Sequence, residues 1–569
     1  MSDTPGPDAL DEYADWAGES PPDHDQPDQT DPPAPEGITP LGYGRKKFFY
    51  YSCAARQVVD LRASEHTELP LRGLASGAHW WERSQFVGDR GVIKWSEAAD
   101  WLMTECRNLG IFDADKIRGR GAWIDDGRTV LHVGDCLLVD GQRAPLELPR
   151  SKFIYEAGKR LGDFRTPPLS TAEAHKFLQI CRRLSWDRGI SATLAAGFVV
   201  VAPICGGLHW RPSCWMTGAS DSGKTWINMN IVRPMLAGVS LLVQGQTTEP
   251  GLRQALWSDA LPVMFEEAEA EERGAEHRVA AILGLLRTAS SDFGASIIKG
   301  AQQQDGAKLY RIRSSFWFSS INVSVVHRAD ESRITILSVG GRKLPQDAFR
   351  ALERDTEALI TPAYASGLVA RSVRLLPAIR ANAGTFRDAL ALHLGTNRTG
   401  DQIGTLLAGA YSLHSTGLIS PADALAYVQR QEWDAVAPAK GEAETDEQKL
   451  LVRITQSRVR ITGGQDTTIE RLIRAAWGLE GGWLMDDVAE RELRSLGIRS
   501  DAAGIFVSNT HPAMARLLVD TPWVGSWARS LQRLPGAEIP TRTIKFGSMA
   551  AARAVYLPRA TLEQVTGDD

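Results

Sequence analysis

A chain of 569 residues is too long for one ordinary hydrophobic core, so two to four domains are expected. Its 43% hydrophobic and 23% charged content is normal for a soluble globular protein. The net charge of −5 hides an asymmetry: residues 1–40 carry eleven Asp and Glu and no Lys or Arg, which leaves 64 basic against 58 acidic residues (69 less 11), about +6, elsewhere. That sign suits a polyanionic partner. The six cysteines (Cys53, Cys106, Cys136, Cys181, Cys205 and Cys214) are scattered, with no CxxC pair. This argues against a disulfide framework and a zinc site and for a reducing, cytoplasmic setting. No signal peptide opens the chain. The longest apolar run, 192–205, is broken by Gly197 and Pro203 and is too short to span a bilayer, so no membrane partner is expected.

Residues 1–40 are rich in Pro and Asp and poor in aliphatics, and read as a disordered acidic tail. A small α+β domain is expected over 41–165. It has strands at 47–53 and 57–61, a helix at 95–109, and short strands at 122–124, 130–133 and 136–139 joined by Asp-Gly turns. The run Arg45-Lys46-Lys47 beside Phe48-Phe49-Tyr50-Tyr51 reads either as a stacking surface for single strands or as a core strand with a charged entry. The second is the commoner.

Residues 170–204 read as two helices, the first capped by Ser170 or Thr171, the second apolar nearly all round and therefore buried. A buried strand at 213–217 then leads into Gly218-Ala219-Ser220-Asp221-Ser222-Gly223-Lys224-Thr225, which fits the phosphate-loop pattern GxxxxGK[ST], and a helix over 226–236 follows. Glycines let successive backbone N–H groups turn toward phosphate oxygens, and the helix N-terminus adds partial positive charge. Lys224 is placed to reach the β- and γ-phosphates of ATP, and the Thr225 hydroxyl to hold Mg²⁺.

A strand over 240–243, a helix ending near 257 and a buried strand over 261–265 come next. The last ends in Glu266-Glu267, where the first carboxylate would act through the Mg²⁺ shell and the second would polarise the attacking water. The same carboxylates also read as the start of a solvated acidic helix. A helix spans 278–289. A β-hairpin with strands 295–300 and 307–312 carries Lys299, Lys308, Arg311 and Arg313, which suit a nucleic-acid backbone or simply an exposed, soluble hairpin. The strand 315–322 ends in Asn322, placed to position water or to make a turn. Arg333 precedes the strand 334–339, as an arginine finger for a neighbouring subunit or a surface ion pair.

Residues 346–440 read as a helical lid or collar, with helices at 347–360, 362–382, 385–394, 401–414 and 421–433 and a sensor candidate at Arg398. A polar linker covers 438–447. Residues 448–569 read as a winged-helix-like module, with helices at 469–477, 485–496, 513–518 and 527–534 and a closing hairpin formed by 542–546 and 554–557.

The order of phosphate loop, acidic strand end, hairpin, polar strand end and arginine resembles the superfamily 3-like AAA+ ATPases. The likeness is to the helicase module of phage- and plasmid-encoded primase-helicase proteins, over residues 170–345. The resemblance implies an α/β P-loop NTPase core at 166–345 whose ring, usually a hexamer, moves along single-stranded DNA with ATP and Mg²⁺. It implies Lys224 and Thr225 for phosphate and metal, Glu266 and Glu267 for Walker B, Asn322 for sensor 1, Arg333 for the finger and the hairpin for DNA tracking. Glu266 stands where Asp is usual, and the hairpin tip is rich in Gln. The expected function is that of an ATP-dependent DNA helicase or translocase of mobile-element replication, with possible replication partners. The alternatives are a nucleotide-controlled DNA-binding scaffold or loader, and a small-molecule kinase. The kinase has no evident acceptor pocket and leaves the hairpin unexplained.

Overall fold

Five short apolar segments form the central sheet: β1 (Ser213–Thr217), β2 (Leu241–Gln244), β3 (Val263–Glu266), β4 (Phe316–Ser319) and β5 (Ile334–Ser338). All neighbours are parallel and the order is β2-β3-β4-β1-β5. Near-continuous apolar runs are what a parallel sheet covered on both faces requires. Side chains alternate by residue: Cys214, Met216, Met264, Trp317 and Leu337 enter one core, and Trp215, Val263, Phe265, Phe316 and Phe318 enter the other. The first core is shared with the helices Thr171–Arg182, Gly189–Val201, Pro362–Arg374, Leu376–Leu394 and Asn397–Tyr411; the second with Glu249–Leu256 and Ala275–Ala289. The architecture is mixed α/β.

This computed structural model describes residues 37–566 apart from 76–77, 163, 165, 267–274, 292–296, 300–307, 322, 324–329, 331, 341–343, 396, 434–445, 463, 480–483, 520, 522 and 548–549. Most of the expected acidic tail, Glu267, Asn322, the hairpin tip and most of the 438–447 linker therefore lie outside the described residues. The chain divides into two compact units, Met1–Ala439 and Lys440–Asp569.

Within the first unit, the antiparallel strands Ile38–Gly44, Lys47–Ser52 and Gln57–Arg62 pack on the helix Trp95–Leu109. The aromatic run is core: Tyr50 is fully buried, and Phe48 and Tyr51 nearly so. A four-stranded meander follows (Gly121–Asp125, Arg128–His132, Leu137–Val139, Gln142–Ala144). Its turns use Asp126-Gly127 and Asp140-Gly141, each pair with positive φ, the combination that tight two-residue hairpins need. The meander is stitched to the loop ahead of β3 by backbone bonds from Gly119 N to Ser258 O and from Ala260 N to Arg120 O.

The helix Gly189–Val201 is buried on every side. With the turns that follow, its segment Gly189–Gly207 is long and apolar enough to cross a membrane, yet 89% of it is enclosed by the fold. Ser170 caps the preceding helix through a reciprocal box with Glu173. Several boundaries differ from expectation. The helix expected at 362–382 ends at Arg374, and the next runs continuously over Leu376–Leu394, because Pro377 lacks an N–H and disfavours helix in the residue before it. Strand Ile38–Gly44 was not expected; Pro40 and Gly42 make it read as a turn, and its register shifts between them.

The second unit has its own core. The helix Asp446–Thr455, the strand pair Arg458–Arg460 and Asp466–Thr468, and the helices Ile469–Ala476 and Asp486–Ser495 lead into the hairpin Ile498–Asp501/Gly504–Ser508. The expected closing hairpin is replaced. Ala554–Pro558 pairs with Gly504–Ser508 to make a three-stranded sheet, and among the described residues a single bridge, Ile544 to Ala552, joins the earlier segment.

Candidate functional site

Parallel strands bring their C-terminal ends to one edge, where open α/β sheets bind ligands. Here that edge gathers the loop after β1, Gln244 after β2, Glu266 at the end of β3 and Ser319-Ser320-Ile321 at the end of β4, around a cavity of about 990 Å³. The order β3-β4-β1 places the polar exit of β4 between the glycine loop and Glu266.

The loop shape follows from its sequence. A Cβ on Gly218 would lie 2.7 Å from the Val339 carbonyl and 2.8 Å from Ser222 Oγ, so only glycine fits against β5's exit. Asp221 (φ 60°) and Gly223 (φ 97°) are both left-handed, and Gly223 caps the helix that begins at Lys224. The helix thus starts two residues earlier than expected. It runs over 224–236 with a π-helical turn at Asn228–Val232. Lys224 Nζ donates to the Gly218 and Ala219 carbonyls, 2.7 Å each, and lies 3.5 Å from Ser222 Oγ. The ammonium is thereby folded back on the loop that lines the cavity. Ser220, Asp221, Ser222, Gly223, Lys224 and Thr225 all line it.

The exit of β4 is pinned from β1. Thr217 Oγ1 donates to the Ile321 carbonyl at 2.7 Å, the Trp215 indole to Ser320 Oγ at 2.7 Å, and Ser320 N to the Met216 carbonyl at 3.2 Å. Asn322 is the next residue. Glu266 Oε1 is buried without a hydrogen bond, 3.7 Å from Arg233 Nη1 on the helix that follows the loop. A carboxylate oxygen without a hydrogen bond, lining the same cavity as the glycine loop, fits a divalent cation held together with a phosphate. Among the described residues no cluster of three or more His, Cys, Asp or Glu could hold a metal by itself. Mg²⁺ typically takes one or two protein ligands and completes its shell with phosphates and water.

Sequence reading missed Arg278, Arg233, Gln244 and Gln246. Arg278 lines the cavity from the helix Ala275–Ala289, and Gln244 and Gln246 line it from the exit of β2. Only the sheet order brings these segments in, and no local pattern announces it.

Other expected site residues lie elsewhere. Arg333 precedes β5, whose Ile334 pairs with Ser213 at the start of β1. It sits at the opposite sheet edge, roughly 16 Å along the strand from the loop, at about 3.3 Å per residue. Lys299 and Lys308 are register partners in the hairpin Ile297–Lys299/Lys308–Tyr310. Arg311 follows it and pairs with Asp115 at 3.4 Å.

No protein-family model and no curated protein matches the chain. Solved apo structures of the NrS-1 C-terminal region are similar in outline. One, of residues 305–718, is 10% identical with a TM-score of 0.32, covering 92% of this chain and 96% of that one; an A-form structure is 11% identical with a TM-score of 0.31, covering 91% and 96%. At that level the likeness carries no inference about function.

Proposed function

We propose that this protein is an ATP-dependent, ring-forming DNA translocase or helicase that serves the replication of a mobile element such as a phage. The observation that supports it most is one edge of the sheet. A glycine loop with Lys224 and Thr225, the Glu266 carboxylate and the polar exit of β4 share one cavity, and β4 is inserted between β1 and β3. The loop amides and Lys224 would hold the phosphates of ATP, and Thr225 with Glu266 the Mg²⁺. The metal, when bound, would neutralise charge developing on the phosphoryl oxygens. Glu267, one residue beyond Glu266, would orient the attacking water, with Asn322 positioning it from β4. Arg333 is too far from its own cavity to act there, so it would serve the cavity of an adjacent copy, which is the reason to propose a ring.

The second unit adds its own constraint. Its helix order suits a winged-helix reading, but the helix Asp486–Ser495 carries Asp486, Asp487, Glu490 and Glu492 against Arg491 and Arg494. Such a helix would be repelled by a phosphate backbone, so a protein contact suits it better than a DNA groove.

The test is ATP turnover with and without single-stranded DNA. The reading expects stimulation by DNA, loss of turnover in Lys224→Ala, and loss of turnover with retained ATP binding in Arg333→Ala. Mixing the two variants should restore part of the activity. Nucleotide-dependent assembly without turnover would favour the scaffold or loader.

A further inference from the structure

One corner of the first small sheet leaves apolar surface and positive charge uncovered together. Tyr43, near the end of the strand Ile38–Gly44, bridges Ile111. Tyr43 N donates to the Gly110 carbonyl at 2.9 Å, and Phe112 N to the Tyr43 carbonyl at 3.0 Å. Three apolar side chains stand exposed here: Tyr43 at 37%, Leu109 at 60% and Ile111 at 72%. Apolar side chains exposed side by side mark a contact surface more often than single ones do.

The same corner is cationic. Lys46 lies in the turn that follows Gly44, and Arg107 in the last turn of the helix Trp95–Leu109; both are exposed. Arg107 also lies 5.2 Å from the Phe48 ring. The carboxylates nearby in sequence or register are engaged elsewhere. Asp60 holds Lys47 at 2.6 Å, Asp113 accepts from Asp115 N at 3.0 Å, and Glu105 accepts from Asn108 Nδ2 at 3.5 Å. Neither Lys46 nor Arg107 has a carboxylate partner among the described residues. Other exposed apolar side chains of this small domain have acidic company instead: Val92 and Trp101 are flanked in sequence by Asp89, Glu97 and Asp100, and Leu69 by Glu68.

We propose that this corner is covered by residues 8–16 of the same chain, DALDEYADW. Apart from Met1, Leu10, Tyr13 and Trp16 are the only large apolar side chains of residues 1–36, and they recur every third residue among Asp8, Asp11, Glu12 and Asp15. That spacing places all three on one side of a helical turn, the pattern of a short segment that folds as it docks. Leu10, Tyr13 and Trp16 cover Tyr43, Leu109 and Ile111, and the carboxylates between them meet Lys46 and Arg107. The tether selects this occupant over a foreign peptide of the same chemistry. From Gly37 the strand reaches Tyr43 in six residues, about 20 Å. The segment 17–36 is twenty residues long, and a linker of that length spans roughly 25 Å as a coil and about 60 Å when extended. A tether that matches its span gives a local concentration in the millimolar range, so even a contact of about 0.1 mM affinity is occupied about nine-tenths of the time.

The experiment is hydroxyl-radical footprinting of the full chain, read residue by residue by mass spectrometry. Tyr13 and Trp16 should be oxidised about 3- to 10-fold more slowly in the wild type than in Ile111→Asp. Ile111 is mostly exposed, so that variant should keep its melting temperature. Lys46→Glu, a charge reversal in the turn, should give part of the same loss of protection and serves if Ile111→Asp fails to fold. Replacing Leu10, Tyr13 and Trp16 together by serine should raise the oxidation of Tyr43 and Leu109 in turn. Protection should be unchanged across roughly tenfold dilution, because a tethered contact does not depend on protein concentration. Equal reactivity of Tyr13 and Trp16 in the wild type and in the folded corner variants would overturn the proposal. Protection that falls on dilution would overturn it as well, by assigning the corner to a second copy of the chain.

Discussion

The indole N–H of Trp317, in β4, donates to Asn228 Oδ1 at 2.9 Å, and both side chains are buried. Asn228 opens the π-helical turn in the helix behind the glycine loop. The bond therefore ties the strand that ends at the cavity's polar rim to the helix that begins at its lysine. A π turn places an extra residue in the helix, and it persists where a specific side chain needs that placement. Removing the acceptor leaves a buried indole N–H unsatisfied. Asn228→Ala is expected to cost ~1–3 kcal/mol in thermal or denaturant unfolding. The double variant with Trp317→Phe should be less destabilised than the sum of the two singles. A strictly additive double variant would show that the bond contributes nothing.

The loop makes a second prediction. Gly223 holds φ at 97° and Gly218 sits where a Cβ would meet the Val339 carbonyl at 2.7 Å. Among the described residues nothing stands near a Cβ on Gly223, so Gly223→Ala meets only backbone strain, ~1–2 kcal/mol. Gly218→Ala meets backbone and must move either the loop or the exit of β5. Isothermal titration with an ATP analogue should show a modest loss for Gly223→Ala and a larger one for Gly218→Ala. The reverse order would mean that the loop takes another shape when it binds.

That loop was legible in the sequence because its signal is local: two glycines, a lysine and a hydroxyl at fixed spacing between a strand and a helix. The capping of Thr171–Arg182 and the burial of Gly189–Val201 were legible for the same reason. What depends on distant pairing was not. Nothing near Arg278 says that its helix will face the loop after β1, since that follows from β4 lying between β1 and β3. Ala554–Leu557 reads as a strand, and its nearest partner in sequence is 542–546, whereas it pairs with the more distant Gly504–Ser508. Pro377 did announce the break after Arg374, yet the apolar spacing on both sides conceals it.

The junction between the meander and the sheet rests on Asp259. Its carboxylate accepts from Arg120 N at 2.6 Å, Arg120 Nε at 3.0 Å and Arg120 Nη2 at 2.5 Å, with both side chains mostly buried. A partly buried Arg–carboxylate pair loses more than its own strength when one partner goes, because the other is left without its counter-charge. Asp259→Ala is expected to destabilise the first unit by ~3 kcal/mol, and Arg120→Ala by less, because the Arg120 amide still serves the carboxylate. Chemical denaturation of both variants checks the ranking. Equal losses would mean that the amide bond adds nothing.

His132 gives the chain a predicted pH dependence. It is fully buried; Nδ1 accepts from Gly134 N at 3.0 Å, and Nε2 bonds the Glu156 carbonyl at 2.7 Å. That pattern holds the neutral ring with its proton on Nε2. Burial, aided by the nearby Arg120, pushes its pKa down to about 4. The unfolded chain takes up a proton near pH 6.5, while the native chain does not until about 4. The resulting stability is therefore complete above pH 6.5 and declines as pH falls toward 4, by about 3 kcal/mol in all. His132→Leu should be less stable than wild type at pH 7.5, since Gly134 N and the Glu156 carbonyl lose their partner. Between pH 6.5 and 4.5 its stability should fall more slowly than that of wild type. Denaturant titrations across that window decide it: parallel curves for the two proteins would place the acid sensitivity on other groups.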